Sequence, residues 1–394
     1  MFGKLMVADR IARIQESGTM KMKALVSQMK KEGKKPISFT VGEPDFPTPR
    51  HIVDACIQAL NDGMTKYIDA PGLPELREAI AEKSKKENGI PCEASNVLVA
   101  PTKHCLFEAV FATVNPGDEV LVPDPAWVSY VPFVAMAEGN PVPVTLLEDH
   151  AFRMTPEEVA KRITPKTKVL MMNSPSNPCG SVNTPEDIKG IADLAIDHDL
   201  LVITDEVYEK IIFDGHKHMS IASLPGMFDR TMTIHGFSKS YSMTGWRLGW
   251  VVAPKPILSG ISKIQQHTIT HAPTFIQKAG VAALKGPTAP LEAMVKEFQK
   301  RRDIVDKSLN ETKHVSAPRP VGAFYAFPKF DEKVTSKMSD EEIALYLAKE
   351  ANVVTTPGDS FGPSGKGHVR ISFATSTVDV QKGMAAIKAA MEKL

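Results

Sequence analysis

The sequence has few cysteines and no long apolar run, and both absences narrow what the protein can be. Its cysteines are scattered and form no C-x-x-C pair: Cys56, Cys92, Cys105 and Cys179. We therefore expect reduced thiols rather than a disulfide framework or a zinc site. No apolar stretch is long enough to span a bilayer, and residues 1–13 lack the apolar core of a secretory signal. These features predict a cytoplasmic protein.

An excess of either charge is also missing. The 47 lysines and arginines nearly balance the 46 aspartates and glutamates, which leaves a net charge of +1. A surface that binds nucleic acid or an anionic membrane is normally strongly basic, so neither partner is expected. At 394 residues the chain can bury large cores, and its length suggests two domains or one large domain with an appendage.

Several catalytic signatures are absent as well. No G-x-G-x-x-G motif follows a predicted strand, which disfavours a nicotinamide enzyme. His267 and His271 have helical spacing, but no H-E-x-x-H motif accompanies them, so no metal is predicted. Residues 358–362 fit G-x-S-x-G around Ser360. A serine hydrolase is nevertheless rejected, because prolines and glycines follow instead of a helix and only His368 remains as a base.

The sequence does contain a regular alternation of strand-like and helix-like segments, which is typical of a largely parallel α/β sheet. Strands are predicted at residues 97–100, 120–123, 143–146, 168–172, 200–204, 232–234 and 250–253. Polar clusters follow four of these strands, beginning at Pro101, Asp124, Asn173 and Asp205. Open α/β sheets bind ligands at the carboxyl ends of their strands, so these clusters should converge on one crevice.

From about residue 286 the pattern changes to that of an α+β layer. It predicts a long helix to about residue 309, a helix over 340–350 and strand-like pieces at 323–327 and 369–373, with a loop at 356–362. Residues 8–35 are predicted to be helical, followed by a strand at 37–41. We expect a large domain over residues 48–285, and a small domain formed by residues 1–47 and 286–394.

A loop rich in serine, threonine and glycine carries one lysine, Lys239, and one arginine, Arg247, between two predicted strands. Hydroxyls and glycine amides, together with such cations, can bind a phosphate group. A lysine that is desolvated beside another cation also has a lowered pKa and becomes a nucleophile towards carbonyls. A surface turn with two solvated bases is the alternative.

Asp205 allows a second interpretation of this loop. Taken alone, a carboxylate at a strand end is best interpreted as a helix cap. Pyridoxal phosphate, however, needs a lysine that bonds to its aldehyde, a carboxylate beside its ring nitrogen and a phosphate cradle. Asp205 and Lys239 supply the first two, and Ser238 with Arg247 could supply the third.

Three further residues could hold the ring of this cofactor. Tyr208 and Asn177 could donate hydrogen bonds to its 3-oxygen, and Trp127 could stack on its face, although a tryptophan there is otherwise a core residue.

Arg370 alternates with apolar neighbours in a strand pattern. Its planar guanidinium suits a carboxylate, but without a known partner site a solvent-facing position is favoured. Tyr67, taken alone, is best interpreted as an ordinary half-buried tyrosine.

Spaced motifs together resemble those of the class I/II pyridoxal-phosphate aminotransferases, most closely the aspartate aminotransferase branch of bacteria and archaea. They are Ser238-Lys239 with Arg247 and Gly249, Asn177-Pro178-x-Gly180, Asp205-x-x-Tyr208, the segment Gly42-Glu43-Pro44-Asp45-Phe46, and Tyr67 with Gly72. The resemblance covers nearly the whole chain in the order of the family. It implies the fold type I architecture, with a mostly parallel seven-stranded sheet covered by helices in the large domain and a smaller α+β domain built from both termini.

The resemblance also implies a role for each matching residue. Lys239 would carry the cofactor and move protons, Asp205 would pair with the ring nitrogen, Tyr208 and Asn177 would bind the 3-oxygen, and Trp127 would stack. The phosphate would be held by Ser238, Arg247 and the amides around Thr102. Tyr67 would reach it from the other subunit of a homodimer. Gly42, Asn177 and Arg370 would bind the substrate α-carboxylate, with Trp127 beside it.

Lys103 bears on the choice of substrate. Relatives that are specific for acidic substrates carry a lysine at this place in a Gly-Gly-Lys-Gln-like stretch, where it contacts the side-chain carboxylate. Here Pro101-Thr102-Lys103-His104 keeps the lysine without the glycines. Residues 17–19 also match the segment that closes over substrate in relatives. We expect ping-pong transamination between L-aspartate and 2-oxoglutarate. An aromatic or broad-specificity aminotransferase is the alternative, and a non-transaminating lyase is less favoured.

Overall fold

The computed structural model describes residues 11, 14 and 18–394. The strands of the described residues are β1 (Ile37–Ser38), β2 (Val97–Ala100), β3 (Glu119–Asp124), β4 (Asn140–Thr145), β5 (Thr167–Asn173), β6 (Leu201–Asp205), β7 (Thr231–Gly236), β8 (Gly249–Val252), β9 (Val315–Ser316), β10 (Tyr325–Ala326), β11 (Lys329–Phe330), β12 (Val353–Val354), β13 (Thr356–Pro357) and β14 (Val369–Ser372).

The helices of the same residues are α1 (Gly18–Lys31), α2 (Arg50–Asn61), α3 (Pro74–Asn88), α4 (Thr102–Thr113), α5 (Tyr130–Met136), α6 (Pro156–Ala160), α7 (Pro185–Asp197), α8 (Lys255–Thr268), α9 (Thr274–Lys285), α10 (Ala289–Asn310), α11 (Glu332–Thr335), α12 (Asp340–Glu350) and α13 (Thr377–Met391). None of these helices is long and apolar enough to cross a membrane.

The central element is a seven-stranded sheet with the strand order β2-β8-β7-β6-β5-β3-β4. All its neighbouring strands run parallel except β8, which is antiparallel to β2 and β7. Successive side chains of β5 enter different cores: Val169 and Met171 pack with α4 and α8, whereas Leu170 and Met172 pack with α6 and α7. Helices therefore cover both faces, as a mainly parallel sheet requires. The predicted α/β fold with a mostly parallel seven-stranded sheet is confirmed.

The carboxyl ends of β2, β3, β5, β6 and β7 lie at one edge of this sheet. This follows from the strand directions, since β2 and β7 are both antiparallel to β8 and so run the same way. The polar segments that begin at Pro101, Asp124, Asn173 and Asp205, and the loop after β7, are consequently neighbours. The predicted convergence of strand ends is confirmed.

A second layer joins the two ends of the chain. β14 lies between β10 and β13 in an antiparallel sheet, and β1 pairs in parallel with β12. Phe39 from the N-terminal segment shares one core with apolar residues of α10, α12 and α13. Met22, Val26 and Met29 of α1 pack against α12 and β12. The N-terminal segment thus belongs to the same packed layer as the C-terminal part of the chain.

Several boundaries differ from the sequence prediction. The strand predicted over 37–41 ends at Ser38, because the following segment is held irregularly by side chains of the second layer. The predicted loop at 356–362 contains strand β13. It lies at the edge of its sheet, where Pro357 loses no ladder hydrogen bond. The helix predicted over 8–35 is described only from Gly18 to Lys31, and Ser17 lies outside the described residues.

Candidate active site

A cavity of about 380 Å³ lies at the carboxyl edge of the sheet, within the usual size range of small-molecule sites. The second layer encloses it from above through residues 40–43, Tyr325 and Arg370. Of the site residues predicted from the sequence, all but Tyr67 line it: Gly42, Thr102, Lys103, Trp127, Asn177, Asp205, Tyr208, Ser238, Lys239, Arg247 and Arg370. The structure therefore brings together side chains that are far apart in the sequence.

Lys239 enters the cavity from the loop after β7. Its Nζ donates a hydrogen bond of 2.5 Å to the carbonyl oxygen of Gly42 and lies 5.8 Å from the ring centre of Tyr208. Desolvation, followed by the positive charge of Arg370, lowers the pKa of Lys239 to about 8. A neutral amine is thus accessible near neutral pH, and a neutral amine is the form that attacks a carbonyl.

Asp205 is buried at the end of β6. Tyr130 Oη donates to its Oδ2 at 2.8 Å, and the amide of Val207 donates to its Oδ1 at 3.3 Å. Burial raises the pKa of Asp205 to about 6 despite these donors. No helix starts here, so the interpretation as a helix cap is wrong. No ion pair joins Asp205 to Lys239 although both line the cavity, and a buried carboxylate of this kind is stabilised by a bound cationic group.

Arg370 lies on β14 and is only 3% exposed, so the solvent-facing interpretation is wrong. Its Nη1 donates to Asn177 Oδ1 at 2.9 Å, and its Nη2 donates to the carbonyl oxygen of Thr40 at 2.7 Å. The guanidinium carbon lies 4.7 Å from the ring centre of Tyr325. Nε has no hydrogen-bond partner among the described residues. The guanidinium is therefore oriented by neutral groups and keeps its charge for an anion.

Tyr325 connects three parts of the site. Its Oη lies 2.8 Å from Tyr208 Oη, and its ring packs against the guanidinium of Arg370. A Cβ atom on Gly42 would collide with Tyr325 Oη. Only glycine therefore lets the backbone of residue 42 come this close, which in turn places its carbonyl oxygen beside the amine of Lys239.

The opposite end of the cavity has the features of a phosphate cradle. Thr102 begins α4, whose first amides have no acceptor within the helix. Thr102 Oγ1 donates to the carbonyl oxygen of His235 at 3.3 Å, and a Cβ atom on either Gly236 or Gly249 would collide with that hydroxyl. Ser238 and Arg247 also line the cavity. Hydroxyls, free amides and a guanidinium together suit a phosphate.

Trp127 and Lys103 form another part of the cavity wall. Lys103 Nζ lies 4.7 Å from the centre of the Trp127 ring, which is a cation–π distance. Trp127 packs edge-on against Tyr130, whose ring centre is 5.4 Å away. Desolvation, followed by Arg247, lowers the pKa of Lys103. An anion bound beside Lys103 would therefore be stabilised.

Tyr67 lies outside the cavity. Its side chain is 87% exposed and contacts the ring of His271 edge-on at 5.7 Å. The interpretation as a half-buried tyrosine is wrong, because the loop after α2 directs the side chain away from every core of the described residues. Ile57 and Leu60 on α2 are also exposed. Each of these side chains is exposed enough to contact another chain.

Comparison with known proteins places these observations in one family. The profile of "Aminotransferase class I and II" matches residues 34–387. The chain belongs to this family. It is a pyridoxal-phosphate-dependent aminotransferase, as the spaced motifs predicted.

The relatives of this aminotransferase carry more than one substrate name. The aspartate aminotransferase of Pyrococcus abyssi is 45% identical over 96% of each chain. The aromatic-amino-acid aminotransferase 2 of Thermococcus litoralis is 42% identical over 88% of this chain and 90% of its own length. The structure of the aspartate aminotransferase of Thermus thermophilus with maleate superposes with a TM-score of 0.93. It is 34% identical and covers 98% of this chain and 100% of its own.

The cavity residues of this aminotransferase fit its cofactor on three observations. The buried carboxylate of Asp205 forms no ion pair with any described residue and could take the protonated ring nitrogen. The amine of Lys239 is desolvated and is hydrogen-bonded to a neutral carbonyl rather than ion-paired. Glycines at 236 and 249 leave the space that the hydroxyl of Thr102 occupies at the phosphate end.

The lining residues that were not predicted from the sequence include four with hydrogen bonds or ring contacts inside the site: Thr40, Tyr130, Asn173 and Tyr325. Asn173 bonds through Nδ2 to the carbonyl oxygen of Asp205 and through Oδ1 to the amide of Asn177. Asn173 could have been predicted from its place in a polar cluster at a strand end, and Tyr130 from its position three residues after Trp127. Thr40 and Tyr325 gave no signal, because their contacts arise only when distant segments pack together.

Proposed function

We propose that this aminotransferase transfers the amino group of L-aspartate to 2-oxoglutarate by a ping-pong mechanism. The observation that carries the proposal is an excess of cations. The described residues that line the cavity include five cationic side chains and two carboxylates: Lys23, Lys103, Lys239, Arg247 and Arg370 against Glu43 and Asp205. Arg247 would hold the cofactor phosphate and Arg370 the substrate α-carboxylate, which leaves the positive charge of Lys103 without an assigned anion. A second carboxylate on the substrate would neutralise it.

The protein's own residues would divide the work of holding the cofactor. Lys239 would hold it through its amine, Asp205 through the ring nitrogen, and Tyr208 with Asn177 through the 3-oxygen, while Trp127 would cover the ring face. Ser238, Arg247 and the first amides of α4 would hold the phosphate. When bound, pyridoxal phosphate supplies an electron-withdrawing ring that stabilises negative charge developing at the substrate Cα. The ionised form of Asp205 favours this by keeping the ring nitrogen protonated.

The substrate would be oriented by the second layer. Arg370, Asn177 and the backbone of Gly42 would bind its α-carboxylate, because the guanidinium already lies within hydrogen-bond distance of Asn177. Lys239, once free, would move the proton at Cα, and its pKa of about 8 suits an amine that both accepts and returns a proton near neutral pH. Trp127 would exclude water from the outer side.

Aromatic substrates form the second candidate, and one structural feature favours it. The amine of Lys103 lies over the Trp127 ring, so an apolar substrate ring could contact the same wall if the lysine moves aside. One relative at 42% identity is named an aromatic-amino-acid aminotransferase. Lys103 therefore becomes the residue that separates the two candidates.

The test is a set of half-reaction rates with the holoenzyme and L-aspartate, L-glutamate, L-phenylalanine and L-tyrosine. Replacing Lys103 by Ala should lower kcat/KM for aspartate by roughly 10- to 100-fold, the value of a charge-assisted hydrogen bond, and leave phenylalanine nearly unchanged. Lys21→Ala is the matched control, because Lys21 is exposed on α1 and does not line the cavity. Equal losses for both substrates would favour the aromatic or broad-specificity candidate.

We also propose a homodimer with shared sites and a two-domain chain, with a large domain over 48–285 and a small domain over 1–47 and 286–394. The exposed side chain of Tyr67, which lies outside the cavity of its own chain, supports the first proposal. The pairing of β1 with β12 supports the second.

A further inference from the structure

A buried polar cluster lies behind the cavity and has no part in the chemistry described so far. Its first centre is Glu206, which follows Asp205 directly and is 1% exposed. Its carboxylate accepts hydrogen bonds from Ser220 Oγ at 2.9 Å and Thr204 Oγ1 at 3.1 Å. His218 Nε2 lies 2.8 Å from Oε2 of the same carboxylate. Three side chains, Thr204 from β6 and His218 and Ser220 from the loop that follows, thus converge on one buried charge.

The second centre is Glu209, one turn further along the chain. Its carboxylate is paired with Lys83 of α3 and accepts a hydrogen bond of 2.5 Å from Asn88 Nδ2. Lys83 also donates to Asn88 Oδ1 at 2.7 Å. Lys83 and the Glu209 side chain are nearly inaccessible to solvent. Asn88 thus hydrogen-bonds to both members of the pair, which supplies the additional bonds that a buried ion pair requires.

His235 joins the two centres. Its Nε2 lies 3.3 Å from Glu206 Oε2, its Nδ1 lies 3.8 Å from Glu209 Oε1, and the residue is 1% exposed. Although burial acts to raise it, His218 and His235 hold the pKa of Glu206 at about 2. The carboxylate is thus ionised throughout the physiological range. A buried cluster of this kind is stable only when every member keeps its place, so it has one arrangement.

This arrangement is attached to the cofactor-facing groups through the backbone. The carbonyl oxygen of His235 accepts the hydrogen bond of Thr102 Oγ1 at 3.3 Å. The amide of Glu206 donates to the carbonyl oxygen of Ile234 at 2.9 Å and so ties the end of β6 to β7. Lys239 follows His235 by four residues. One cluster is therefore connected to Asp205 through the backbone of β6 and to Thr102 through one hydrogen bond.

None of Lys83, Glu206, Glu209, His218 and His235 lines the cavity. They cannot touch the substrate or a group bound in it, and any effect on the reaction must pass through their neighbours. The imidazole of His235 also stacks on Trp250 of β8 at 5.4 Å with 24° between the planes. The ring is thus packed on its face against Trp250, and each of its two nitrogens lies close to a glutamate oxygen.

We propose that His235, held between Glu206 and Glu209, is a positioning residue that aligns the end of β6 with the end of β7, so that Asp205 and Thr102 hold opposite ends of the cofactor at a fixed separation. The inference rests on the cofactor site proposed above. An uncharged core of the same size would not supply this alignment of the two strand ends.

The test compares His235→Phe with His368→Phe in the holoenzyme. Phenylalanine keeps an aromatic ring against Trp250 and removes both nitrogens. His368 is a buried histidine outside the cavity, stacked on Phe327 at 4.8 Å, and is the matched control. The rate at which pyridoxal phosphate leaves each protein on dilution, the pH midpoint of its visible absorption and the Tm of the cofactor-free protein are measured.

His235→Phe is expected to release the cofactor about 10-fold faster, to shift the pH midpoint and to lower kcat with little change in the KM for the amino acid. His368→Phe should lower Tm without these changes. His235→Gln, which can still donate to Glu206, should restore part of the retention. If His235→Phe lowers Tm as His368→Phe does but keeps wild-type cofactor release and midpoint, the cluster is merely structural and the proposal is wrong.

Two further outcomes separate this inference from the proposed function. If the wild-type protein does not retain pyridoxal phosphate at all, the cofactor site itself is wrong. If His235→Phe fails to fold, Glu206→Gln replaces it in the test. Glutamine has the shape of glutamate, and its side-chain oxygen can still accept the hydrogen bonds of Ser220 and Thr204, but it carries no charge. Wild-type cofactor release in Glu206→Gln would then overturn the proposal.

Discussion

At the scale of single residues, the site keeps two opposite charges apart. Lys239 and Asp205 share one cavity without an ion pair, and each is directed by neutral partners, Gly42 for the amine and Tyr130 for the carboxylate. A direct ion pair would raise the pKa of the amine and consume the carboxylate. The separation therefore leaves both groups ready for a bound cofactor.

Tyr130 offers a test of this arrangement. Tyr130→Phe removes the donor to Asp205 Oδ2, which stabilises the ionised form, so the pKa of Asp205 should rise above about 6. A hydrogen bond to a charged group contributes about 1.5–3 kcal/mol, which corresponds to roughly one unit or more. Since an aspartate is protonated below its pKa, the variant should lose cofactor affinity at a higher pH than the wild type does. A titration of the cofactor-free protein with pyridoxal phosphate between pH 5 and pH 8 measures this.

Tyr346→Phe is the control for that titration. Tyr346 also donates one hydrogen bond, to the carbonyl oxygen of Ala390, but it lies outside the cavity. Its pH profile should match that of the wild type. Superimposable profiles for Tyr130→Phe and the wild type would show that Tyr130 does not set the ionisation of Asp205.

Sequence analysis found the residues that carry charge and missed the ones that place it. Lys239 and Asp205 stand out because their chemistry requires their residue types at strand ends. The environment of Arg370 could not be predicted, since its partners Asn177 and Thr40 are 193 and 330 residues away in the sequence. Tyr325 was hidden for the same reason. Its role depends on a close approach to Gly42 that no local pattern encodes.

At the scale of elements, the parallel strands decide where the site forms. Alternating strands and helices bring five carboxyl ends to one edge, and this much follows from the sequence pattern. The N-cap of α7 was also predictable, because Thr184 accepts from the amide of Asp187 in a capping box. Short elements such as α6 and β13 were not predicted. Their few residues carry too little periodicity, and packing fixes them.

The contact between the start of α4 and the β7–β8 pair can be tested by a substitution at Gly236. Gly236→Ala places a methyl group against Thr102 Oγ1, and overpacking of this kind costs about 1–3 kcal/mol. The start of α4 should shift, and affinity for pyridoxal phosphate should fall roughly 10-fold. Affinity for pyridoxal, which lacks the phosphate, should change much less. Binding titrations with both compounds measure the difference.

Two variants control this prediction. Gly245→Ala lies in the same loop region, and its new methyl group meets no atom within 4 Å, so it should bind both compounds as the wild type does. Adding Thr102→Ala to Gly236→Ala removes the colliding hydroxyl and should recover part of the lost affinity. If pyridoxal and pyridoxal phosphate lose affinity equally, the strand ends do not act on the phosphate in particular.

At the scale of the whole molecule, the cavity exists only when both ends of the chain are in place. The sheet edge supplies the groups that face the cofactor, and the second layer supplies Gly42 before the sheet and Arg370 after it. The pairing of β1 with β12 holds these distant segments together. The sequence predicted this layer from its change of pattern. It could not predict how closely the layer approaches the sheet, because that distance depends on side-chain packing.

Tyr67 bears on the contact between two copies of the chain. It is 87% exposed and lies outside the cavity of its own chain, so any effect on the cofactor has to come from another copy. Tyr67→Phe should therefore weaken cofactor binding only in a dimer. Sedimentation of the wild-type protein checks the assembly. Hybrids made by refolding Tyr67→Phe with Lys239→Ala check the sharing of sites.

In a shared-site hybrid, one cavity combines Lys239 from the first chain with Tyr67 from the second, and both residues are wild type there. That cavity should hold the cofactor as tightly as the wild type does, at about one site per dimer. The other cavity lacks the lysine and should hold it weakly. If Tyr67 acted within its own chain, every cavity with a lysine would also carry the phenylalanine, and wild-type affinity would not return. Titration of the purified hybrid with pyridoxal phosphate distinguishes the two cases.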